Sequence, residues 1–128
     1  MTTLHQNKNG DFVFHLSFQG KDGNPIVPPQ ALDIRLSTDG GNTYFTAQFR
    51  ADGNSSGCKM ASDGIDVFVA LSRNPIGTGR LMLETVSHIQ DDNFPDGERR
   101  VSSKVSTPVV LWDGPSDGDI NIHGTIIL

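Results

Sequence analysis

From Phe12 the chain alternates. Phe12, Phe14, Leu16 and Phe18 fall on one side of an extended backbone, and Val13, His15, Ser17 and Gln19 on the other. A period of two with bulky aromatics predicts a half-buried strand. The alternation recurs over residues 32–37, with Leu32, Ile34 and Leu36 in phase, and over 43–51, with Phe45, Ala47 and Phe49 inward. It recurs again over 65–71, where Phe68 stands opposite Ile65, Val67, Val69 and Leu71. A short extended piece is expected at 58–60, and further strands at 99–105, 108–112 and 120–128. Residues 80–89 mix two periods, since Leu81, Leu83 and Val86 obey no single one. Gly77 and Gly79 before them and β-branched Thr85, Val86 and Ile89 within them favour a strand over a helix.

Between these runs lie turn signals. Asp-Gly occurs seven times, at 22–23, 39–40, 52–53, 63–64, 96–97, 113–114 and 117–118, and Asn-Gly once at 9–10. Glycine accepts positive φ without steric cost, and aspartate bonds its own backbone in turns. Pro25, Pro28 and Pro29 keep Ile26 and Val27 extended but poorly able to pair, as at an edge crossing or bulge. Seven to nine strands at roughly the eight-to-twelve-residue spacing of sandwiches and barrels imply an all-β fold. The expected architecture is an antiparallel immunoglobulin-like β-sandwich, with a barrel sharing the same signals. Residues 10–128 are expected to form this one domain. Residues 1–9 are polar, with Leu4 as the lone anchor, and read as an arm that is mobile unless a partner ties it down.

At 128 residues the chain is long enough to bury one core without covalent staples. Its single cysteine, Cys58, rules out an intrachain disulfide and a Cys-based zinc site, and reads as a small buried hydrophobe. The formal charge is −5, with scattered basic residues apart from Arg99, Arg100 and Lys104, so no nucleic-acid partner is expected. No membrane partner is expected either, because the apolar runs are of strand length, and no basic-then-apolar leader opens the sequence.

Chemistry is sparse. Asp113, Asp117 and Asp119 form the densest acidic cluster, but their spacing does not match the EF-hand calcium loop, and consecutive turns are the plainer reading. Asp91, Asp92 and Asp96 read the same way. His5, His15, His88 and His123 lack the paired spacing of metal ligands. Gly77-Thr-Gly79 lacks the lysine and following helix of a phosphate loop, and Asn54-Ser-Ser56 is a chance glycosylation triplet. No nucleophile–base motif is present, so no enzyme, metal or cofactor is expected. Trp112 and Tyr44 are the candidate aromatic platform for a carbohydrate or cell-surface ligand.

The segment from Ile122 to Leu128 is apolar on both faces, because Ile127 is out of phase with Ile126 and Leu128. Such a strand needs cover, or it becomes a template for another chain. Leu4, Ile122, Ile126, Ile127 and Leu128 are therefore the candidate interface of a homo-oligomer.

Three stretches carry a resemblance: the opening Asp11-Phe-Val-Phe14 strand with the Gly-Pro turn after it, Gly77-Thr-Gly-Arg-Leu-Met-Leu-Glu84, and Asn93-Phe-Pro-Asp-Gly-Glu-Arg99 leading to Val110-Leu-Trp-Asp-Gly114. Together they resemble small virion proteins of phages and prophages from gut Bacteroidetes. In outline they are similar to the immunoglobulin-like N-terminal domain of phage upper-baseplate proteins. The resemblance implies a non-enzymatic role in a tail, baseplate or head-fibre attachment, with other virion proteins as partners and the virion, assembled in the bacterial cytoplasm, as location. Attachment domains normally continue into a coiled coil or fibre, so with Leu128 as its last residue a free-standing module or a separately encoded adaptor is expected.

Overall fold

The computed structural model describes residues 3–40, 42–118 and 122–128. Among them are nine strands and no helix: β1 (Leu4–Asn7), β2 (Asp11–Gln19), β3 (Ala31–Thr38), β4 (Phe45–Arg50), β5 (Cys58–Ala61), β6 (Gly64–Ala70), β7 (Gly79–Gln90), β8 (Glu98–Trp112) and β9 (Ile122–Ile127). They form a five-stranded sheet in the order β1-β8-β7-β3-β4 and a four-stranded sheet in the order β5-β6-β2-β9. The inward residues of both sheets merge into one core, in a sandwich-like arrangement.

The alternation does what its spacing demands. Phe14, Leu16 and Phe18 of β2 meet Leu32, Ile34 and Leu36 of β3 and Ile65, Val67 and Val69 of β6 in that core, each almost wholly buried. Each such side chain contributes roughly 1.5–3 kcal/mol relative to leaving it in water. A one-residue slip of β2 would exchange this set for Val13, His15 and Ser17, so the register is strongly determined.

Both sheets are mixed, and not antiparallel throughout as expected. β9 runs parallel to β2, placing His123 opposite His15, and β1 runs parallel to β8, placing Leu4 opposite Val109. The remaining neighbours are antiparallel. Parallel partners need long crossovers, and here most of the chain lies between them. The residues read as an arm thus include β1. It is tied down by β8 of the same chain, and Gln6 is buried at 6% exposure beneath the sheet.

The two strands expected at 99–105 and 108–112 are one, β8, despite Pro108. Opposite it the ladder is interrupted: Met82 pairs with Ser106 and Arg80 with Val110, which leaves only Leu81 facing residues 107–109. A proline is tolerated where the ladder needs no N–H. The buried Thr107 hydroxyl takes up the slack, donating to the Leu81 carbonyl (2.8 Å) and accepting from the Val109 N–H (3.3 Å).

Two glycines show why Asp-Gly recurs. Gly97 has φ 73° in the loop that joins β7 to β8, and its carbonyl accepts from Asp91 N–H at 2.9 Å. Gly64 starts β6 against the backbone of Leu16, where any Cβ would collide with the Leu16 carbonyl oxygen. The first glycine is needed for its backbone angle and the second for the space it leaves.

Candidate functional site

The outer face of the five-stranded sheet is a grid whose rows follow from strand register. One row across β4, β3, β7 and β8 reads Gln48, Asp33, Val86, Ser102; the next reads Thr46, Arg35, Glu84, Lys104. Strands lie about 4.8 Å apart, so each row spans about 14 Å. Between and over these rows lies a shallow groove of about 570 Å³. It forms because the inward positions of the same strands carry the core, which leaves polar and short side chains facing out.

Ion pairs hold the charged members in place. Arg35 Nη2 donates to Glu84 Oε2 at 2.8 Å, and Lys104 Nζ lies 3.6 Å from Glu84 Oε1. The Arg35 hydrogen bond is the main reason the Glu84 carboxyl is held below its ordinary range. Arg35 also lies over the Tyr44 ring, 4.3 Å from its centroid.

Beyond the groove a second chain of charges crosses the sheet. Arg50 Nη2 donates to Asp33 Oδ1 (2.8 Å), His88 Nε2 reaches Asp33 Oδ2 (2.8 Å), and His88 Nδ1 reaches Glu98 Oε1 (2.5 Å). Arg100 closes the line on Glu98 at 3.3 Å and Asp96 at 3.0 Å. The bond to Glu98, and then that to Asp33, raise the His88 pKa against the opposing effect of burial. Burial alone would raise Asp33, but the bonds from His88 and Arg50 outweigh it, and its pKa is lowered.

On the outer face of the other sheet, His15 Nδ1 lies 2.7 Å from Asp66 Oδ1 and Nε2 lies 3.0 Å from Asp63 Oδ1. The His123 ring meets the His15 ring edge-on, with 5.5 Å between centroids. Among the described residues no group of three or more His, Cys, Asp or Glu side chains is arranged to hold a metal ion.

Tyr44 and Trp112 are both exposed, at 48% and 40%. They stand at the same end of the five-stranded sheet but on β8 and next to β4, with β7 and β3 between, so they do not form one platform. The Trp112 indole donates to the Pro115 carbonyl at 2.9 Å, and His5 packs 4.9 Å from it. Asp113 pairs with Lys8 at 2.7 Å, and the Asp117 carboxylate accepts from the His5 N–H at 2.8 Å, so the loop after β8 is fastened to β1 and to the residue that follows it. Asp119 lies outside the described residues. Asp91 and Asp96 accept backbone N–H groups of Asn93 and Glu98, as turn aspartates do.

The expected interface residues divide. Ile122 and Ile126 face inward and are buried, at 3% and 1%, and Leu4 and Leu128 pack partly buried against the same core. Ile127 alone of the five faces out, at 58% exposure. Cys58 also packs against the core, and burial pushes its thiol pKa up to about 11. The charged rows were missed because their members come from four strands; the signal available was opposite charge at alternate, outward positions, as in Asp33 and Arg35.

Comparison of the chain with protein-family models, with curated proteins and with solved structures finds no match to any of the three. No helix among the described residues is long and apolar enough to cross a membrane.

Proposed function

We propose that this chain is a non-enzymatic structural component of a phage virion, a tail, baseplate or head-fibre attachment protein of immunoglobulin-like type that works by protein–protein contact. The observation that carries the reading is the free flank of β9. β9 is hydrogen-bonded to β2 on one side, and among the described residues no strand is hydrogen-bonded to its other side. An edge of this kind offers unpaired N–H and C=O groups to a further strand. Beside it Ile127 is exposed, and on the same outer face the cross-strand pair Val13 and Phe68 is exposed as well, at 42% and 47%. Ile127, an apolar group placed next to an open ladder, favours a neighbouring subunit as the cover. The resemblance of the Asp11–Phe14, Gly77–Glu84 and Asn93–Gly114 stretches to virion proteins points the same way.

The experiment is native mass by light scattering behind a sizing column, over a range of protein concentrations. A discrete homo-oligomer that Ile127→Lys reduces to a monomer supports the reading, since a lysine on an edge opposes strand addition. A concentration-independent monomer, absent from purified particles of its source, overturns it.

A further inference from the structure

We propose that the groove on the outer face of the five-stranded sheet binds a neutral oligosaccharide, laid across β4, β3, β7 and β8. Three features of the groove select that ligand class.

The first is charge. Every ionised group lining the groove already has a partner of opposite sign: Arg35 and Lys104 on Glu84, and Arg50 and His88 on Asp33. A charged ligand drawn to one member of a pair is repelled by the other. A hydroxyl meets no such repulsion, and it finds sites free, because a carboxylate accepts several hydrogen bonds and a guanidinium donates up to five. Hydroxyls that donate to Glu84 or Asp33 and accept from Arg35 or Lys104 add to the rows without disturbing them. Gln48 and Ser102 add neutral donors and acceptors at the two ends of one row.

The second is the mixture of surfaces. Val86, half-buried, sits in the row between Asp33 and Ser102, where polar neighbours surround an apolar patch. A pyranose presents the matching combination, an apolar C–H face ringed by hydroxyls. Beyond the Arg35 row, at one end of the groove, Tyr44 is exposed with its ring stacked on the Arg35 guanidinium.

The third is the backbone. The floor of the groove is formed by β3 and β7, which are interior strands paired on both sides. A peptide that docks by adding a strand needs an open ladder, and the groove floor has none. Recognition there is by side chains alone, and the ion pairs hold those side chains in place before the ligand arrives, which lowers the entropic cost of binding. The site is separate from the β9 edge, so this proposal and the virion reading can fail independently.

The test is an amide NMR titration of the full chain with maltohexaose, cellohexaose, xylohexaose and chitohexaose at up to millimolar concentration, with a hyaluronan hexasaccharide and an acidic and a basic peptide for comparison. The expected result is saturable shifts at Gln48, Val86 and Ser102 with at least one neutral hexasaccharide. Gln48→Ala, an exposed change that leaves every ion pair intact, should weaken binding about fivefold, the loss of one hydrogen bond. Glu84→Gln should weaken it as well, with the dispersed spectrum of a folded chain. Silence with all four neutral sugars, shifts confined to other surfaces, or binding only by hyaluronan or a peptide would each overturn the proposal.

Discussion

His88 and Asp33, on neighbouring strands of one sheet, are joined at 2.8 Å between Nε2 and Oδ2, while the other ring nitrogen of His88 is held by Glu98. An imidazole flanked by two carboxylates satisfies both as a double N–H donor, so the protonated ring is the favoured form.

This sets a direction for stability against pH. The His88 pKa is raised on folding, so its contribution is complete below the ordinary histidine value and is lost as pH rises through the raised one. The Asp33 pKa is lowered, so its contribution is complete above the ordinary aspartate value and is lost as pH falls through the lowered one. Urea unfolding of the wild type should therefore show stability falling as pH rises above the ordinary histidine value of 6.5. In His88→Gln that fall should shrink by about 1 kcal/mol. Parallel profiles for the two proteins would refute the assignment.

Thr85 and Ser87 point into the core from β7, and neither hydroxyl has a hydrogen-bond partner. A buried hydroxyl without a partner costs about 1–3 kcal/mol. Thr85→Val and Ser87→Ala should each raise stability, by about 1 kcal/mol, measured as a shift in the urea midpoint at constant m-value. A loss of stability in both would show that the hydroxyls are satisfied.

Cys58 offers a chemical check on packing. With its thiol pushed up to about 11 by burial, little thiolate forms near pH 8. Alkylation by iodoacetamide at that pH, followed by mass spectrometry, should run on the order of a hundredfold slower in native protein than in urea. Equal rates would place the thiol in solvent.

Much of the fold was legible because period and burial agree. In β2, β3, β4 and β6 the apolar residues at alternate positions are the buried ones, and Phe68 is exposed on the opposite face as its phase predicts. β7 gave a mixed signal for a reason the structure makes plain. Two of its inward positions hold Thr85 and Ser87, while Met82 and Val86 lie on the outer face. β1 carried almost no signal, since Gln6 takes one of its buried positions and backbone pairing supplies the rest. Alternation reports which face of a strand is buried but says nothing of which neighbour it pairs with or in which direction. The parallel β2–β9 and β1–β8 ladders were invisible for that reason. The groove was hidden likewise: Gln48, Asp33, Val86 and Ser102 become a row only once four strands are in register.

Those two parallel ladders also bear on how the molecule is made. During synthesis β2 leaves the ribosome long before β9, the strand that covers its second flank. Until then Phe14, Leu16 and Phe18 belong to an unfinished layer, and Gly124, which packs closely on Phe14 and Leu16, has yet to arrive. Contacts between sequence-distant segments slow folding, because the entropy of closing the chain is spent before they form. The four-stranded sheet is therefore the part completed last, and the nascent chain passes through a stage in which its phenylalanine-rich strand β2 is open to chaperones on one side.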